Sequence, residues 1–138
     1  MKYLVSACLV GQNCKYNGLN NKSDKVLEFL KDKEYVIACP ECLGGLKTPR
    51  IPSEIKNDKV LNKEGIDVTK EYNLGALKTL EICKNNNCKC AILKSKSPSC
   101  GVGLIYDGNF NKTLIKGDGI TTKLLKENNI EVINSDEL

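Results

Sequence analysis

The sequence predicts a three-layer, Rossmann-like α/β fold with a mostly parallel sheet of about four strands and one small hairpin. Two observations lead to this prediction. Short apolar runs recur along the 138 residues, and each is near-continuous, as expected of strands buried on both faces of a parallel sheet. Between the runs, apolar residues recur at three- and four-residue spacing, which is typical of helices. This alternation predicts one domain over residues 1–138.

Each predicted element has a local signal. The predicted strands contain, in chain order, Leu4-Val5, Val36–Ala38, Ala91–Leu93 and Val132-Ile133. Three helices are predicted between them, and their candidate N-caps are Ser23, Thr69 and Asp118. Residues 43–66 are rich in Gly, Pro and charged residues and interrupt the alternation. Within residues 101–117, Asp107-Gly108-Asn109 predicts the turn of a hairpin.

The composition excludes several classes of protein. There is no histidine, so Ser-His-Asp and Cys-His catalysis are ruled out, and any metal must be held by Cys, carboxylate or solvent ligands. The net charge is +4, but the lysines form no basic stripe and aromatic residues do not interleave with them. We therefore expect no nucleic-acid partner.

The N-terminal segment bears on the cellular compartment. Its short apolar stretch is interrupted at Gly11–Asn13, unlike a secretory signal, and no stretch approaches the ~18 apolar residues of a membrane helix. We expect a cytoplasmic protein with no membrane partner, and we take it to be a monomer. In a reducing cytoplasm, the eight cysteines indicate metal binding or thiol chemistry rather than disulfides.

Three of the four predicted strands end at a segment that carries a cysteine. These cysteines are Cys8, Cys39 and Cys100, each beside Gly, Pro or small residues. Ligands of open parallel sheets bind beyond the carboxyl ends of the strands, so these thiols are expected to converge at one edge. Thiolates favour iron–sulfur clusters or zinc. A cubane cluster normally takes four cysteines, so three would leave one iron free to bind a substrate atom.

Other interpretations of the cysteines stay open at this point. Cys8 by itself is compatible with a small buried hydrophobe. Cys39 and Cys42 form a C-x-x-C pair, which is compatible with a thiol–disulfide oxidoreductase. Cys83, Cys88 and Cys90 are either structural thiols or zinc ligands. A zinc- or cluster-stabilised binding module without catalysis is therefore an alternative to an enzyme.

Polar residues near the candidate ligands are candidates for substrate chemistry. Glu41 follows Cys39 closely and is a candidate proton shuttle, whereas a surface Glu is the simpler interpretation. Ser97 and Ser99 flank Pro98, where ordinary turn chemistry is also expected. Lys94 ends a predicted strand beside the Cys100 loop, and an exposed Lys is its simpler interpretation.

Arg50 is the only arginine in the chain. The other basic residues are lysines, so a planar bidentate donor is indicated at this position. A structural ion pair with Glu54 is the competing interpretation.

At these residues the chain resembles the 2-thiouracil desulfurase family. The match spans nearly the whole chain, with its segments in the same order. Taken together the segments identify the family specifically, whereas each segment alone is a weak signal. The matching segments are Ser6–Gly11, Lys15–Gly18, Cys39–Glu41, Gly44–Leu46, Pro49-Arg50, Pro52–Glu54, Gly65, Asp67–Thr69, Ile92–Lys94, Ser97–Gly101, Ile105–Gly108 and Gly117–Gly119.

The resemblance implies a function and a set of site residues. It implies a [4Fe–4S] cluster held by Cys8, Cys39 and Cys100, with one open iron that binds the substrate sulfur. It also implies non-redox desulfuration of a thiolated pyrimidine such as 2-thiouracil, in which water replaces the sulfur at carbon. By the same resemblance, Glu41 is the proton-transfer residue and Ser99 positions the substrate.

The chain departs from the usual family pattern at three positions. Lys15 and Asn17 stand where Arg and Asp are usual, and Cys42 stands at a position that is usually apolar. Cys42 could compete with Cys39 as a ligand or take up the sulfur.

Overall fold

The structure is a computed structural model that describes residues 2–138. The strands are β1 (Lys2–Ser6), β2 (Glu34–Ala38), β3 (Ser53–Lys56), β4 (Lys59–Asn62), β5 (Cys90–Leu93), β6 (Leu104–Tyr106), β7 (Leu114–Lys116) and β8 (Glu131–Asn134). The helices are α1 (Asp24–Leu30), α2 (Pro40–Leu43), α3 (Thr69–Asn85) and α4 (Ile120–Glu127), with short 3-10 helices at Ala7–Val10 and Ser135–Glu137. Within residues 2–138 no helix has the length and apolar character needed to span a membrane.

A four-stranded parallel sheet forms the centre of the fold, with strand order β2-β1-β5-β8. All four predicted strands belong to it, so the predicted parallel α/β sheet is confirmed. Every residue of β5 is buried, whereas β2 at one edge is largely exposed. The continuous apolar run of β5 is thus explained by its position inside the sheet, between β1 and β8.

Helices cover both faces of the sheet, as the three-layer prediction requires. Successive side chains of a strand point to opposite faces, and Leu4 and Val5 of β1 accordingly belong to different apolar cores. Val5 packs with Val26 of α1 on one face. Leu4 packs on the other face with Leu80 of α3 and Leu125 of α4.

The sheet has a switch in the direction of its connections. From β1 the chain runs through α1 to β2 on one side, and from β5 it runs through α4 to β8 on the other side. The loops that leave β1 and β5 therefore diverge to opposite faces of the sheet. In open α/β sheets this divergence creates a crevice beyond the carboxyl ends of the strands, where ligands bind.

Two hairpins are added to this frame, where the sequence predicted one. The predicted hairpin is β6–β7, but its loop spans residues 107–113 rather than a tight turn. The second hairpin is β3–β4, inside the segment predicted to be irregular. Asn57 and Asp58 at its turn both have positive φ, 51° and 63°. Such a pair fits the tight turn of a two-residue hairpin, so Asn-Asp was the signal that the sequence analysis missed.

One of the three predicted N-cap residues caps its helix, and the other two lie one residue away from the N-cap position. Ser23 caps α1 as predicted. Thr69 is the first residue of α3 rather than its cap, and its hydroxyl accepts the backbone N–H of Val60 at 2.8 Å. Asp118 precedes the start of α4 by two residues, and its carboxylate accepts the N–H of Gly103 at 2.8 Å. Both side chains are engaged by neighbouring segments, which outweighs their local capping tendency.

Helix α2 is short, and it is positioned by close packing against α3. A Cβ at Gly44 would overlap the backbone carbonyl of Glu71, and one at Gly75 would overlap that of Pro40. Both positions thus require glycine for the backbones to approach. The contact places α2, which the sequence analysis did not predict, at the carboxyl end of β2.

Candidate functional site

A cavity of about 570 Å³ lies beyond the carboxyl ends of β1, β2 and β5. Cys8 reaches it from the 3-10 helix after β1, Cys39 from the residue that precedes α2, and Cys100 from the loop after β5. The structure therefore brings the three predicted ligands together in one cavity. The parallel sheet explains this convergence, since the carboxyl ends of its strands meet at one edge.

A fourth cysteine, Cys14, lines the same cavity, and the sequence analysis missed it. Cys14 lies in the loop between the first 3-10 helix and α1, six positions after Cys8. It does not follow a strand, so the rule based on strand ends did not find it. Its place close to Cys8 in the first loop was the available signal.

Cys14 lies close to two of the predicted ligands. Hydrogen bonding with its thiol lowers the pKa of Cys8 to about 7 and that of Cys39 to about 6 despite burial, which raises both. The contacts with the same two cysteines raise the pKa of Cys14 itself. The Cys39 thiol also donates to the Cys14 backbone carbonyl at 3.8 Å, and the Nδ2 amide of Asn21 donates to the Cys8 sulfur at 3.5 Å. The surroundings of Cys8 and Cys39 therefore favour their thiolate forms.

Cys100 is the most buried of the four cysteines at the cavity. Burial raises the pKa of its thiol to about 12. The hydroxyl of Ser6 donates to its sulfur at 3.4 Å, and the Ser99 hydroxyl lies 3.7 Å from the sulfur while its closer acceptor is Glu41 Oε2 at 2.9 Å. The Ser6 hydroxyl would stabilise negative charge on the Cys100 sulfur once a metal replaced its proton.

Glu41 lies on α2, and four side-chain donors fix its carboxylate. Oε1 accepts from Arg50 Nε at 3.0 Å and from the Tyr72 hydroxyl at 2.9 Å. Oε2 accepts from the hydroxyls of Ser99 at 2.9 Å and Ser97 at 3.3 Å. Glu41 is thus not a surface carboxylate, and its position against the serines is fully determined.

Arg50 connects this carboxylate to the Cys14 loop. Besides Glu41, its guanidinium donates from Nη2 to the backbone carbonyl of Cys14 at 2.8 Å. The ion pair with Glu54 considered from the sequence is wrong, because the Glu54 carboxylate accepts the backbone N–H groups of Gly108 and Phe110 instead. Arg50 therefore acts as the multidentate donor that its isolation among lysines indicated.

Ser97 combines both interpretations considered from the sequence. Its Oγ accepts the backbone N–H groups of Ser99 and Cys100, which is ordinary turn chemistry. The same Oγ lies 2.8 Å from Ser99 Oγ and contacts Glu41. Lys94 also lines the cavity, and its ammonium lies 3.6 Å from a carboxylate oxygen of Asp136.

The other cysteines lie outside the cavity. Cys42 is exposed, and its sulfur lies 3.4 Å from the Thr48 hydroxyl. Its position favours Cys39 over Cys42 as the residue that faces the cavity. Cys83, Cys88 and Cys90 are buried elsewhere, and burial raises the pKa of Cys83 to about 12 and that of Cys90 to about 11. They are structural thiols, as one sequence interpretation held.

The donor set fits an iron–sulfur cluster. Within residues 2–138, no three Cys, Asp or Glu side chains are arranged to hold a single metal ion. A four-iron cluster does not require its thiolates to converge on one metal ion, because each thiolate binds a separate iron. Thiols reaching one cavity from three different strand ends match that requirement, and their soft sulfur donors suit iron–sulfur chemistry.

Comparisons with known proteins agree with this geometry. The sequence profile described as 2-thiouracil desulfurase matches residues 3–137. The YbbK protein of Bacillus subtilis strain 168, described as uncharacterized, is 44% identical over 145 aligned positions, covering 98% of this chain and 96% of YbbK. The solved structure of the [4Fe-4S]-dependent thiouracil desulfidase TudS superposes with a TM-score of 0.93 at 40% identity, covering 99% of this chain and 92% of TudS. The resemblance drawn from the sequence is confirmed, and the chain belongs to the 2-thiouracil desulfurase family.

Proposed function

We propose that this protein is a [4Fe–4S]-dependent desulfurase that removes sulfur, without net redox change, from a small thiolated pyrimidine such as 2-thiouracil. The observation that carries the proposal is the placement of the Glu41–Ser99 pair in the same cavity as Cys8, Cys39 and Cys100. Family membership and the likeness to TudS support it.

Cys8, Cys39 and Cys100 would hold the cluster. When bound, the cluster would supply a Lewis-acidic iron, open to the substrate sulfur, that polarises the carbon–sulfur bond. The hydroxyl of Ser6 would support the Cys100 thiolate by a hydrogen bond.

Glu41 would move the protons of the reaction through Oε2. Its Oε1 is occupied by Arg50 and Tyr72, so Oε2 is the atom that exchanges protons on the serine side. Burial is the main cause of the raised pKa of Tyr72, which keeps this phenol a donor to Oε1. Oε2 would accept a proton from the attacking water as its oxygen bonds to the substrate carbon, and would return that proton to the sulfur as the carbon–sulfur bond breaks, so that the sulfur leaves as hydrosulfide. Ser99 would orient the substrate and relay that proton.

A matched pair of variants tests this function. We expect Glu41→Gln to lower kcat for 2-thiouracil by about 10²–10⁴-fold, the usual contribution of a positioned acid–base group, and to keep the iron content of the native protein. Glu81→Gln, at an exposed position of α3, should leave both kcat and the iron content unchanged. The measurements are iron, acid-labile sulfide and turnover after anaerobic reconstitution. Undiminished turnover in Glu41→Gln would overturn the role of Glu41, and stoichiometric zinc without iron would overturn the function.

The domain organisation, the cellular location and the partners of the enzyme belong to the same proposal. The whole chain, residues 1–138, is one domain that works as a cytoplasmic monomer on a free small molecule, without a nucleic-acid partner. The eight free thiols and a net charge without a basic stripe support this setting.

A further inference from the structure

Cys14 is a fourth thiol at the cavity and has no role in the proposed reaction. It is half-buried, and the Cys39 thiol donates to its backbone carbonyl at 3.8 Å. Four of the eight cysteines line one cavity, and the other four lie outside it. A chance thiol has no reason to share a cavity with three candidate ligands that come from different strands.

The loop that carries Cys14 is tied to the catalytic carboxylate. Arg50 Nη2 donates to the Cys14 carbonyl at 2.8 Å, and the Arg50 backbone N–H donates to the Tyr16 carbonyl at 2.7 Å. The same guanidinium donates to Glu41 at 3.0 Å. At the start of the loop, Gly11 ends the 3-10 helix with a φ of +99°, in the left-handed region that favours glycine. Cys14 is therefore held at the site by specific contacts.

The number of thiols leads to a role for Cys14. A cubane has four irons, and Cys8, Cys39 and Cys100 account for three of them. We propose that the Cys14 thiolate binds the fourth iron when no substrate is present and leaves it when the substrate sulfur arrives. This inference rests on the proposed function, because it assumes that the cavity holds a [4Fe–4S] cluster.

The exchange involves ligands and protons but no electrons. Cys14 releases its thiol proton to solvent as its sulfur binds iron. When the substrate sulfur takes that position, the iron–sulfur bond to Cys14 breaks and the thiolate takes up a proton again. The loop has no regular secondary structure between Gly11 and Ser23, so a small movement of Cys14 does not require the sheet to move.

Two properties follow from this exchange. With all four irons on thiolates, the substrate-free cluster retains its fourth iron under mild oxidation, which an unprotected iron does not. The substrate also competes with Cys14, so removal of the thiol lowers the apparent KM. The decrease is about tenfold if Cys14 occupies the iron in about nine of ten molecules.

The experiment compares the anaerobically reconstituted native protein, Cys14→Ala and Cys42→Ala. Cys42 is the matched control, since its thiol also adjoins Cys39 but is exposed and lies outside the cavity. After mild ferricyanide treatment, we expect the native protein and Cys42→Ala to keep about four irons, and Cys14→Ala to lose about one and give the electron paramagnetic resonance signal of a three-iron cluster. Mössbauer spectra without substrate should show one distinct iron only in Cys14→Ala.

The outcomes separate this inference from the proposed function. Equal iron loss and a distinct iron in all three proteins would overturn the role of Cys14 and leave the desulfurase intact. Loss of the entire cluster in Cys14→Ala would also overturn it, because Cys14 would then be one of three permanent ligands. A native protein that takes up no cluster would overturn the proposed function, and this inference with it.

Discussion

Apart from the exposed Cys42, the cysteines form two groups in different surroundings. The cavity group (Cys8, Cys14, Cys39 and Cys100) lies beyond the strand ends, among hydroxyl, amide and thiol donors. The core group (Cys83, Cys88 and Cys90) lies in and beside α3 and β5, and Cys83 and Cys88 pack among Leu, Ile and Ala side chains. Only the surroundings differ, since the residue type is the same.

This difference shows what makes a thiol available to a metal. Hydrogen bonds from neighbours lower the pKa of Cys8 and Cys39, whereas burial without such support raises that of Cys83 and Cys90. Burial also raises the pKa of Cys100, which is set apart from the core group by its place at the cavity and by the Ser6 hydroxyl that donates to its sulfur at 3.4 Å. A core thiol is therefore a small apolar side chain, and a thiol that lines the cavity is a candidate ligand. Three measurements can break or sharpen this comparison.

The largest expected effect is on cluster retention. Replacing Cys8, Cys39 or Cys100 singly with Ala should abolish retention of a full cluster, because it leaves two permanent thiolates and only the exchangeable Cys14 as a third. Cys83→Ala, the control from the core group, should keep about four irons per chain. Iron and sulfide content after anaerobic reconstitution is the measurement. If all three cavity variants retained a full cluster, the assignment of the ligands would be wrong.

An intermediate effect is expected on thiol reactivity in the metal-free protein. At pH 7 iodoacetamide should label Cys39 and Cys8 at least about a hundredfold faster than Cys90, since thiolate fraction outweighs the lower intrinsic nucleophilicity of a low-pKa thiol. Because the pKa values are lowered to about 6 for Cys39 and about 7 for Cys8, labelling should persist well below the ordinary thiol range and fall as the pH drops through these values. Mass spectrometry of labelled peptides from pH 5 to 9 measures this, and equal rates in both groups would remove the distinction.

The smallest expected effect is on stability. Cys83→Ser should lower the free energy of unfolding by about 1–3 kcal/mol, because it introduces a hydroxyl into a fully buried apolar site. Cys14→Ser should change it by less than about 0.5 kcal/mol, since a serine hydroxyl retains a donor in a half-buried polar loop. Urea unfolding of the metal-free proteins provides the comparison. A cost at position 14 that equals the cost at position 83 would show that the cavity loop is part of the core.

The strands could be predicted because their signals are local. Runs such as Ala91–Leu93 are apolar throughout, since both faces of β5 are buried. Ser23 caps α1 as its sequence position indicates. Thr69 and Asp118 were placed wrongly as caps because neighbouring segments bind their side chains. The hairpin β3–β4 was missed because its strands have four residues each and carry little apolar alternation.

The site was predicted in part for the same reason. Cys8, Cys39 and Cys100 follow strands, and parallel strands bring their carboxyl ends together whatever the rest of the chain does. The partner of Arg50 could not be read from the sequence, because Glu41 and Glu54 are both close to it along the chain. Only the packing of α2 against α3 places Glu41, rather than Glu54, next to its guanidinium.

By itself, the sequence determined the parallel α/β sheet, the three strand-end cysteines and the family to which they point. These follow from local apolar patterns and from a geometric property shared by all parallel sheets. The tertiary structure alone decided that Cys14 joins Cys8 and Cys39 at one cavity, and that Arg50, Tyr72 and two serines surround Glu41. Such contacts join loops and helices that are distant in sequence, and their approach depends on backbone packing that no local pattern encodes.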